Sequence, residues 1–312
     1  MTCYENPLIT ILLSTYNGQN YLRPFLDSLL EQTFRDFLII VRDDGSTDNT
    51  LSILQEYTSK FKNLILLEEG SNVGAARSFG YLLEFGLTQT KSNYFMFADQ
   101  DDVWMKDKIE KTYQKMQDVE LQRKSQQPIL VHTDLMVTGR DLNLISSSFW
   151  KQQKLRPTNV QVNKLLIQNV ITGCTMMINR RLAEKCSPFP KKVIMHDWWI
   201  GLVASCVGEI VHLQSATILY RLHDNNHIGA RKLTLFNATM KLFSDYSLEP
   251  YICQCNELYR KLDSDLTPSQ RLMLINFAQL NEVNYMKRVQ IVFKWKFFKS
   301  GFFRNIAHLI KM

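Results

Sequence analysis

Four apolar runs in the first hundred residues each end in a polar cluster, and helical segments separate them. Residues 8–14 (Leu-Ile-Thr-Ile-Leu-Leu-Ser), 37–41, 64–67 and 94–98 have the composition of strands buried on both faces. Between them, residues 21–32 set Leu22, Phe25, Leu26, Leu29 and Leu30 on one broad helical face. A second helix runs to about Phe61 with Leu51, Ile53, Leu54 and Tyr57 apolar, and residues 74–87 form a third. Strand and helix in strict alternation predict an α/β chain: a parallel sheet with right-handed crossovers. Such sheets bind ligands beyond the carboxyl ends of their strands. The polar clusters lie at those ends: residues 14–17, Asp43-Asp44, residues 68–72 and residues 99–102. They are expected to converge on one edge.

The fourth run carries the sharpest signal. Tyr94-Phe95-Met96-Phe97-Ala98 runs straight into Asp99-Gln100-Asp101-Asp102. Carboxylates cannot stay buried as unpaired charge. Aimed into a cleft, Asp99 and Asp101 offer hard oxygen ligands for Mg²⁺ or Mn²⁺. The alternative is a solvated acidic turn capping a helix that begins at Val103-Trp104.

The second half is less regular. Residues 129–137 read as a strand, 159–169 as a helix, 173–178 as a short strand, and 180–185 and 196–206 as helices. Residues 210–213 and 217–220 read as two strands. From Arg231 onward the pattern is helical only, with a capping box at Thr267-Pro268-Ser269-Gln270.

Composition narrows the function. Six cysteines show no CxxC pair and no zinc spacing, which fits a reducing compartment. Residues 1–6 lack the apolar core of a signal peptide, and no apolar run is long enough for a confident transmembrane helix. The net charge of +7 sits in one place: seven basic residues and no acid follow Glu282, leaving 30 basic residues against 30 acidic ones elsewhere. A neutral body argues against a broad nucleic-acid face. Neither GxGxxG nor GxxxxGK[ST] occurs, which excludes the usual dinucleotide and P-loop sites.

Several separated segments resemble glycosyltransferase family 2. TILLSTYN (10–17), VRDDGSTD (41–48), Asn72-Val73-Gly74 with Arg77, and FADQDDVW (97–104) resemble its nucleotide-sugar half. TGCT (172–175), HDWW (196–199) and YRLHDNN (220–226) resemble its acceptor half. The likeness is strongest to bacterial rhamnosyltransferase-type enzymes of capsule and O-antigen synthesis. It implies a GT-A fold: a Rossmann-like, mainly parallel sheet flanked by helices. Residues 1–104 would form the nucleotide-sugar half and 105–230 the acceptor half of a catalytic domain, with 231–312 a helical extension.

The resemblance also assigns roles. Thr15, Asn17, Asp43, Asp44, Asn72, Arg77, Asp99 and Gln100 would contact the nucleotide sugar. An aspartate at 43 or 44 would accept from the pyrimidine ring N–H, which uracil and thymine share. The other would make an Asx turn with Gly45 or a helix cap. Arg77 at a helix start suits diphosphate; its alternative is a surface charge. Asp99, Asp101 and His223 would hold Mn²⁺ or Mg²⁺, with Asp102 a third ligand, a partner of the donor sugar or a cap for the next helix. Asp197 would be the base of an inverting transfer. Gly173, Cys174, Trp198 and Trp199 would meet the acceptor, with one tryptophan in the core. Asp224 stands where many relatives have glycine, and His132, His212, His227 and His308 have no assigned role.

The basic tail interleaves aromatic and aliphatic residues with its cations. That composition fits an interfacial helix on an anionic membrane; the alternatives are a helix docked on the catalytic domain or a homodimer contact. The combined expectation is a peripheral enzyme at the cytoplasmic face of the inner membrane. It would move a sugar, L-rhamnose from dTDP-rhamnose first and a UDP-hexose second, to a lipid-linked saccharide. A sugar nucleotidyltransferase would need a glycine-rich opening after strand one, and residues 13–18 have none. A membrane-bound scaffold would not need Asp99, Asp101 and Asp197 intact.

Overall fold

The structure, a computed structural model, describes residues 7–67, 70–123, 127–223 and 247–311, apart from the side chains at 123, 303 and 311. Asp224, Asn225, Asn226, His227 and the 230/231 boundary lie outside the described residues.

The predicted alternation is present. β1 (Ile9–Thr15), β2 (Phe37–Asp43), β3 (Leu64–Leu66) and β4 (Tyr94–Asp99) are joined by α1 (Leu22–Leu30), α2 (Thr50–Lys60) and α3 (Ala75–Gln89). They pair in parallel in the order β3-β2-β1-β4. Register matters for function: Thr15 lies beside Asp43, and Ser14 beside Asp99. Three of the four polar clusters thus meet at one sheet edge. Every residue of β2 is buried, as a strand covered on both faces requires.

The chain then departs from simple alternation. Val103 and Trp104 do not start a helix. They form a two-residue strand, β5 (Val103–Trp104), antiparallel to Leu219 and Ile218. The Trp104 N–H donates to Ser28 Oγ at 3.1 Å, and the indole is buried. A tight reversal at Gln100–Asp102 makes this possible, and the helix waits until α4 (Lys108–Arg123).

β6 (Ile129–Thr138) and β7 (Leu144–Ser146) follow, then the short helices α5 (Phe149–Gln152) and α6 (Val162–Leu165). The helix expected over 159–169 is only this one turn, because Leu165, Leu166 and Ile167 are all buried. Three consecutive buried residues do not fit one helical stripe. A 3₁₀ turn at Gly173–Thr175 leads into β8 (Met176–Asn179), α7 (Arg180–Cys186) and α8 (His196–Val207). The two strands expected after 210 are one, β9 (Glu209–Arg221), with register shifts against β6 near Asp134. β8 is antiparallel to β4 and β6, so the sheet is mixed.

Among the described residues four further helices follow: α9 (Glu249–Leu262), α10 (Pro268–Ala278), α11 (Tyr285–Trp295) and α12 (Phe302–Lys311). The Thr267–Gln270 capping box forms as read. Ile252, Cys255, Leu258, Phe277, Ile291, Val292 and Phe297 join one continuous core with Phe79, Trp199 and Leu202. The C-terminal helices are therefore docked on the sheet's helical layer. Among the described residues, no helix is long and apolar enough to cross a membrane.

Candidate active site

At the β1/β2 end the acids are already occupied. Asp43 accepts from Thr15 Oγ1 at 2.8 Å, from Ser46 Oγ at 2.6 Å and from Ser46 N at 2.7 Å. Asp44 accepts from Val73 N at 2.9 Å and Gly74 N at 2.8 Å, and pairs with Arg42. Arg42 in turn donates to Ser78 Oγ and Ser71 O, each at 3.0 Å. Asp43 makes the turn, and Asp44 answers the N–H groups at the entry to α3. Asn72 and Arg77 remain exposed beside it.

Three residues expected at the nucleotide have side-chain atoms engaged inside the protein. Thr15 spends its hydroxyl on Asp43. Asn17, at φ 47°, accepts from Thr47 N at 2.9 Å. Gln100 accepts from Tyr16 N at 3.0 Å and donates to Tyr16 O at 2.8 Å. Any side chain at Gly18 would strike Gln100, since a Cβ would lie 2.1 Å from its Oε1. This latch holds the β1–α1 turn against the acidic motif and leaves the Tyr16 ring 47% exposed at the mouth. An exposed aromatic after a buried strand was a legible signal that the motif reading passed over.

The three acids separate. Asp101 Oδ2 lies 2.7 Å from His223 Nε2, so residues read as fellow ligands do meet. Asp99, Asp102 and Cys174 bring ligand atoms within 4.8 Å of one another. Burial, then the charges of Asp101 and Asp197, push the Asp99 carboxyl up to about 7. Asp102 is fully buried and its carboxyl is raised well above the usual range, by burial and then by Asp101 and Asp99. Its Oδ1 accepts from Arg221 N at 3.4 Å, and the Cys174 thiol beside it pulls its carboxyl the other way. Asp102 caps no helix. An oxygen-rich set whose members repel one another is the donor chemistry a hard divalent cation relieves; the residues present fit Mn²⁺ or Mg²⁺.

Beneath them lies a residue that motif reading missed. Lys108 is fully buried, its ammonium 4.5 Å from the centre of the Trp104 ring. Burial lowers it to about 8, opposed by Cys174 and Asp102. It occupies the buried stripe of α4 with Ile109, Thr112, Met116 and Val119. A lysine on an apolar stripe was the available signal.

Asp197 sits in the first turn of α8. It accepts from Trp198 N at 2.6 Å and Gly173 N at 3.1 Å. Burial still pushes it up to about 7, the Trp198, Gly173 and Asn169 donors pulling the other way. Its charge helps to raise Asp99, so the two carboxylates lie within electrostatic reach of each other. Gly173 is thus a donor to the candidate base. His196, buried with its ring centroid 3.9 Å from that of Phe79 and tilted by 34°, stands where a Gly173 Cβ would be.

Two residues expected at the acceptor are buried. Trp199 is fully buried, with its indole N–H on Cys186 O at 3.1 Å, and offers no face to a sugar. Cys174 is fully buried between Asp99 and Asp102, on the acid side of the cleft. Trp198 is half-buried, its ring edge-on to Tyr251 at 5.5 Å.

The comparisons with known proteins agree with this geometry. The family model described as glycosyl transferase family 2 matches residues 10–186. The dTDP-rhamnosyl transferase RfbG of Shigella flexneri is 27% identical over 227 residues, 70% of this chain and 74% of that protein. Other curated relatives are longer, the match spanning 65% of one and 40% of another. The fold is similar to S. aureus TarS 1-349 in complex with UDP-GlcNAc (TM-score 0.57, 18% identity, 92% of this chain and 80% of that one). It is also similar to the mannosyltransferase PcManGT from Pyrobaculum calidifontis in complex with GDP-Man and Mn²⁺ (TM-score 0.56, 16% identity, 92% and 74%). A mixed sheet with a four-strand parallel half, its acids gathered at the strand ends, is the GT-A arrangement, and the chain belongs to glycosyltransferase family 2 and is a glycosyltransferase.

Proposed function

We propose that the chain transfers one sugar, with inversion, from a nucleoside-diphosphate donor to a lipid-linked saccharide of a bacterial surface polysaccharide. The observation that carries this is Asp197: a carboxylate raised to about 7 by burial, close enough to the acidic motif for its charge to be felt there. A base poised near neutrality accepts a hydroxyl proton and is still about half ionised at pH 7. As the acceptor oxygen attacks the anomeric carbon, its proton passes to Asp197. The bond to the nucleoside diphosphate breaks and its electron pair leaves with the diphosphate.

Asp99, Asp101 and His223 would hold Mn²⁺ or Mg²⁺. When bound, such a cation supplies positive charge that offsets what develops on the leaving group. Asp43 Oδ2 takes one donor in the structure, so it retains a lone pair for a pyrimidine N–H. The exposed Tyr16 ring would cover the base, and Arg77 with Asn72 would meet the diphosphate. dTDP-rhamnose is the first donor, supported by the Shigella flexneri relative; UDP-hexoses are the second. Residues 1–104 serve the donor, 105–230 the acceptor, and 231–312 are the extension.

The extension has two faces. Inward, Ile291, Val292 and Phe297 are core. Outward, Phe302, Ile306 and Ile310 lie four apart on α12 at 74%, 39% and 69% exposure, with Phe293 at 57% on α11. Exposed Lys287, Lys294 and Lys296 are close to them in the chain. An apolar stripe among cations suits the anionic cytoplasmic surface of the inner membrane; a homodimer contact is the other occupant such a stripe accepts.

The test is donor turnover. Purified protein is offered dTDP-rhamnose, UDP-glucose, UDP-GlcNAc and GDP-mannose with Mn²⁺, and nucleotide release is measured. One donor should stand out, Asp101→Ala should abolish its metal-dependent turnover, and Asp197→Asn should bind donor but not transfer. A large loss of donor affinity in Asp197→Asn would remove it from the base role. Full turnover in Asp101→Ala would remove the metal.

A further inference from the structure

The His223 ring reaches the acidic motif from the end of β9, and something must hold it there. Its plane stacks on Tyr21, with centroids 4.8 Å apart and an interplanar angle of 23°. Tyr21 lies in the β1–α1 turn, on the donor half of the fold, 202 positions before His223 in the sequence. The Tyr21 ring also sees Arg221, whose Cζ is 5.0 Å from its centroid. Its hydroxyl accepts from Arg140 Nε at 3.1 Å. Arg221 donates through Nε to Asp101 O at 3.0 Å and through Nη1 to Arg140 O. The Leu222 N–H donates to Thr138 O at 2.9 Å. The backbone leaving β9 is therefore fixed as far as Leu222, and the ring one residue later rests on Tyr21.

We propose that Tyr21 is a positioning residue for His223, its ring serving as the platform that aims the imidazole Nε2 at Asp101 and hence at a divalent cation there. This rests on the reading of His223 as a ligand. The physical argument is one of entropy. An imidazole two residues beyond a strand end is not oriented by the strand's own ladder, and a ligand that must first be ordered binds more weakly than one already oriented. A flat ring stacked within 5 Å selects the orientation without spending the nitrogen that faces Asp101. The stacking face belongs to the ring and not to its hydroxyl, which Arg140 occupies. Nothing in this arrangement requires Tyr21 to touch the substrate or the cation.

The probe is Mn²⁺ alone, bound to the full-length protein. Pulsed electron paramagnetic resonance detects nitrogen coupling when an imidazole ligates Mn²⁺, and free Mn²⁺ counted at room temperature gives the affinity. Wild type and Tyr21→Phe should show the nitrogen signal. Tyr21→Leu and Tyr21→Met, the second nearer the original side-chain length should the first not fold, should lose most of it. Their affinity should fall severalfold, to the level of His223→Ala. Combining Tyr21→Leu with His223→Ala should weaken binding no further. Nitrogen coupling that survives in both Tyr21→Leu and Tyr21→Met overturns the platform, as does a loss that simply multiplies in the double variant. A wild-type signal without nitrogen overturns the His223 assignment first, and the platform with it.

Discussion

Replacing Gly173 by alanine should move the acid limb of the transfer reaction to higher pH. A Cβ at this position would lie 2.4 Å from His196 Nε2 and 2.9 Å from its Cε1. His196 cannot retreat, because its ring is packed 3.9 Å from Phe79 and 5.4 Å from Phe97. The 3₁₀ turn must give way instead, and with it the 3.1 Å donation from Gly173 N to Asp197 Oδ2. A hydrogen bond to a charged group contributes roughly 1.5–3 kcal/mol. At about 1.4 kcal/mol per unit, its loss raises the carboxyl by roughly 1–2 units. From a start of about 7, the ionised fraction at pH 7 drops from half to about a tenth or a hundredth. kcat/KM at pH 7 should therefore fall roughly 5- to 50-fold, and near pH 9.5 the deficit should shrink to about twofold or less. The assay is a pH profile of kcat/KM for both proteins. A uniform drop with an unmoved limb would show that the glycine serves packing and not the base. A wild-type limb near 4 would refute the buried-base argument altogether.

Other variants separate core from site. Trp199→Ala should cost about 3–5 kcal/mol in denaturant unfolding, as burial of a whole indole implies, while Trp198→Ala should cost clearly less. Asp44→Ala strands the buried Arg42 and should destabilise by about 3–5 kcal/mol, so a loss of donor binding with unchanged stability would contradict its bracing role. His132 is buried neutral and lowered to about 3, against 6.5 when unfolded. The unfolded chain therefore binds its proton first, and stability from this group is intact above about 6.5 and is lost as pH falls towards 3. Between pH 7.5 and 5 that amounts to about 2 kcal/mol, and His132→Phe should lose correspondingly less over the same range. Phe302→Ser with Ile306→Ser and Ile310→Ser should release the protein from anionic vesicles in co-sedimentation, with the unfolding midpoint nearly unchanged. Unaltered sedimentation with a change of oligomeric state would assign the stripe to a second copy.

Periodicity found β1 to β4 to within a residue or two because each is buried on both faces, and its polar terminus marks where burial stops. The second half resisted for identifiable reasons. Val103-Trp104 is too short for any period, and its strand character comes from Leu219 and Ile218, more than a hundred residues later. The stretch at 165–167 is buried by tertiary contact on all sides. Asp197, Asp99, Asp101 and His223 were legible as a group from motifs. Which polar side chains are spent inside the protein was not. Thr15, Asn17 and Gln100 carry donor-site residue types, yet their atoms answer Asp43, Thr47 and Tyr16. Hydrogen-bond allocation is a property of three-dimensional neighbours, and no spacing rule reports it.

The pairing of β5 with β9 has a bearing on how the molecule is made. Asp101 and His223 are 122 residues apart in the chain, and Asp102 and the Arg221 N–H 119. During synthesis the acids emerge long before the strand that covers them, so an early chain carries three mutually repelling carboxylates at a ragged sheet edge. The acidic edge is complete only where β9 pairs with β5, so the site exists only once residues more than a hundred positions apart have met.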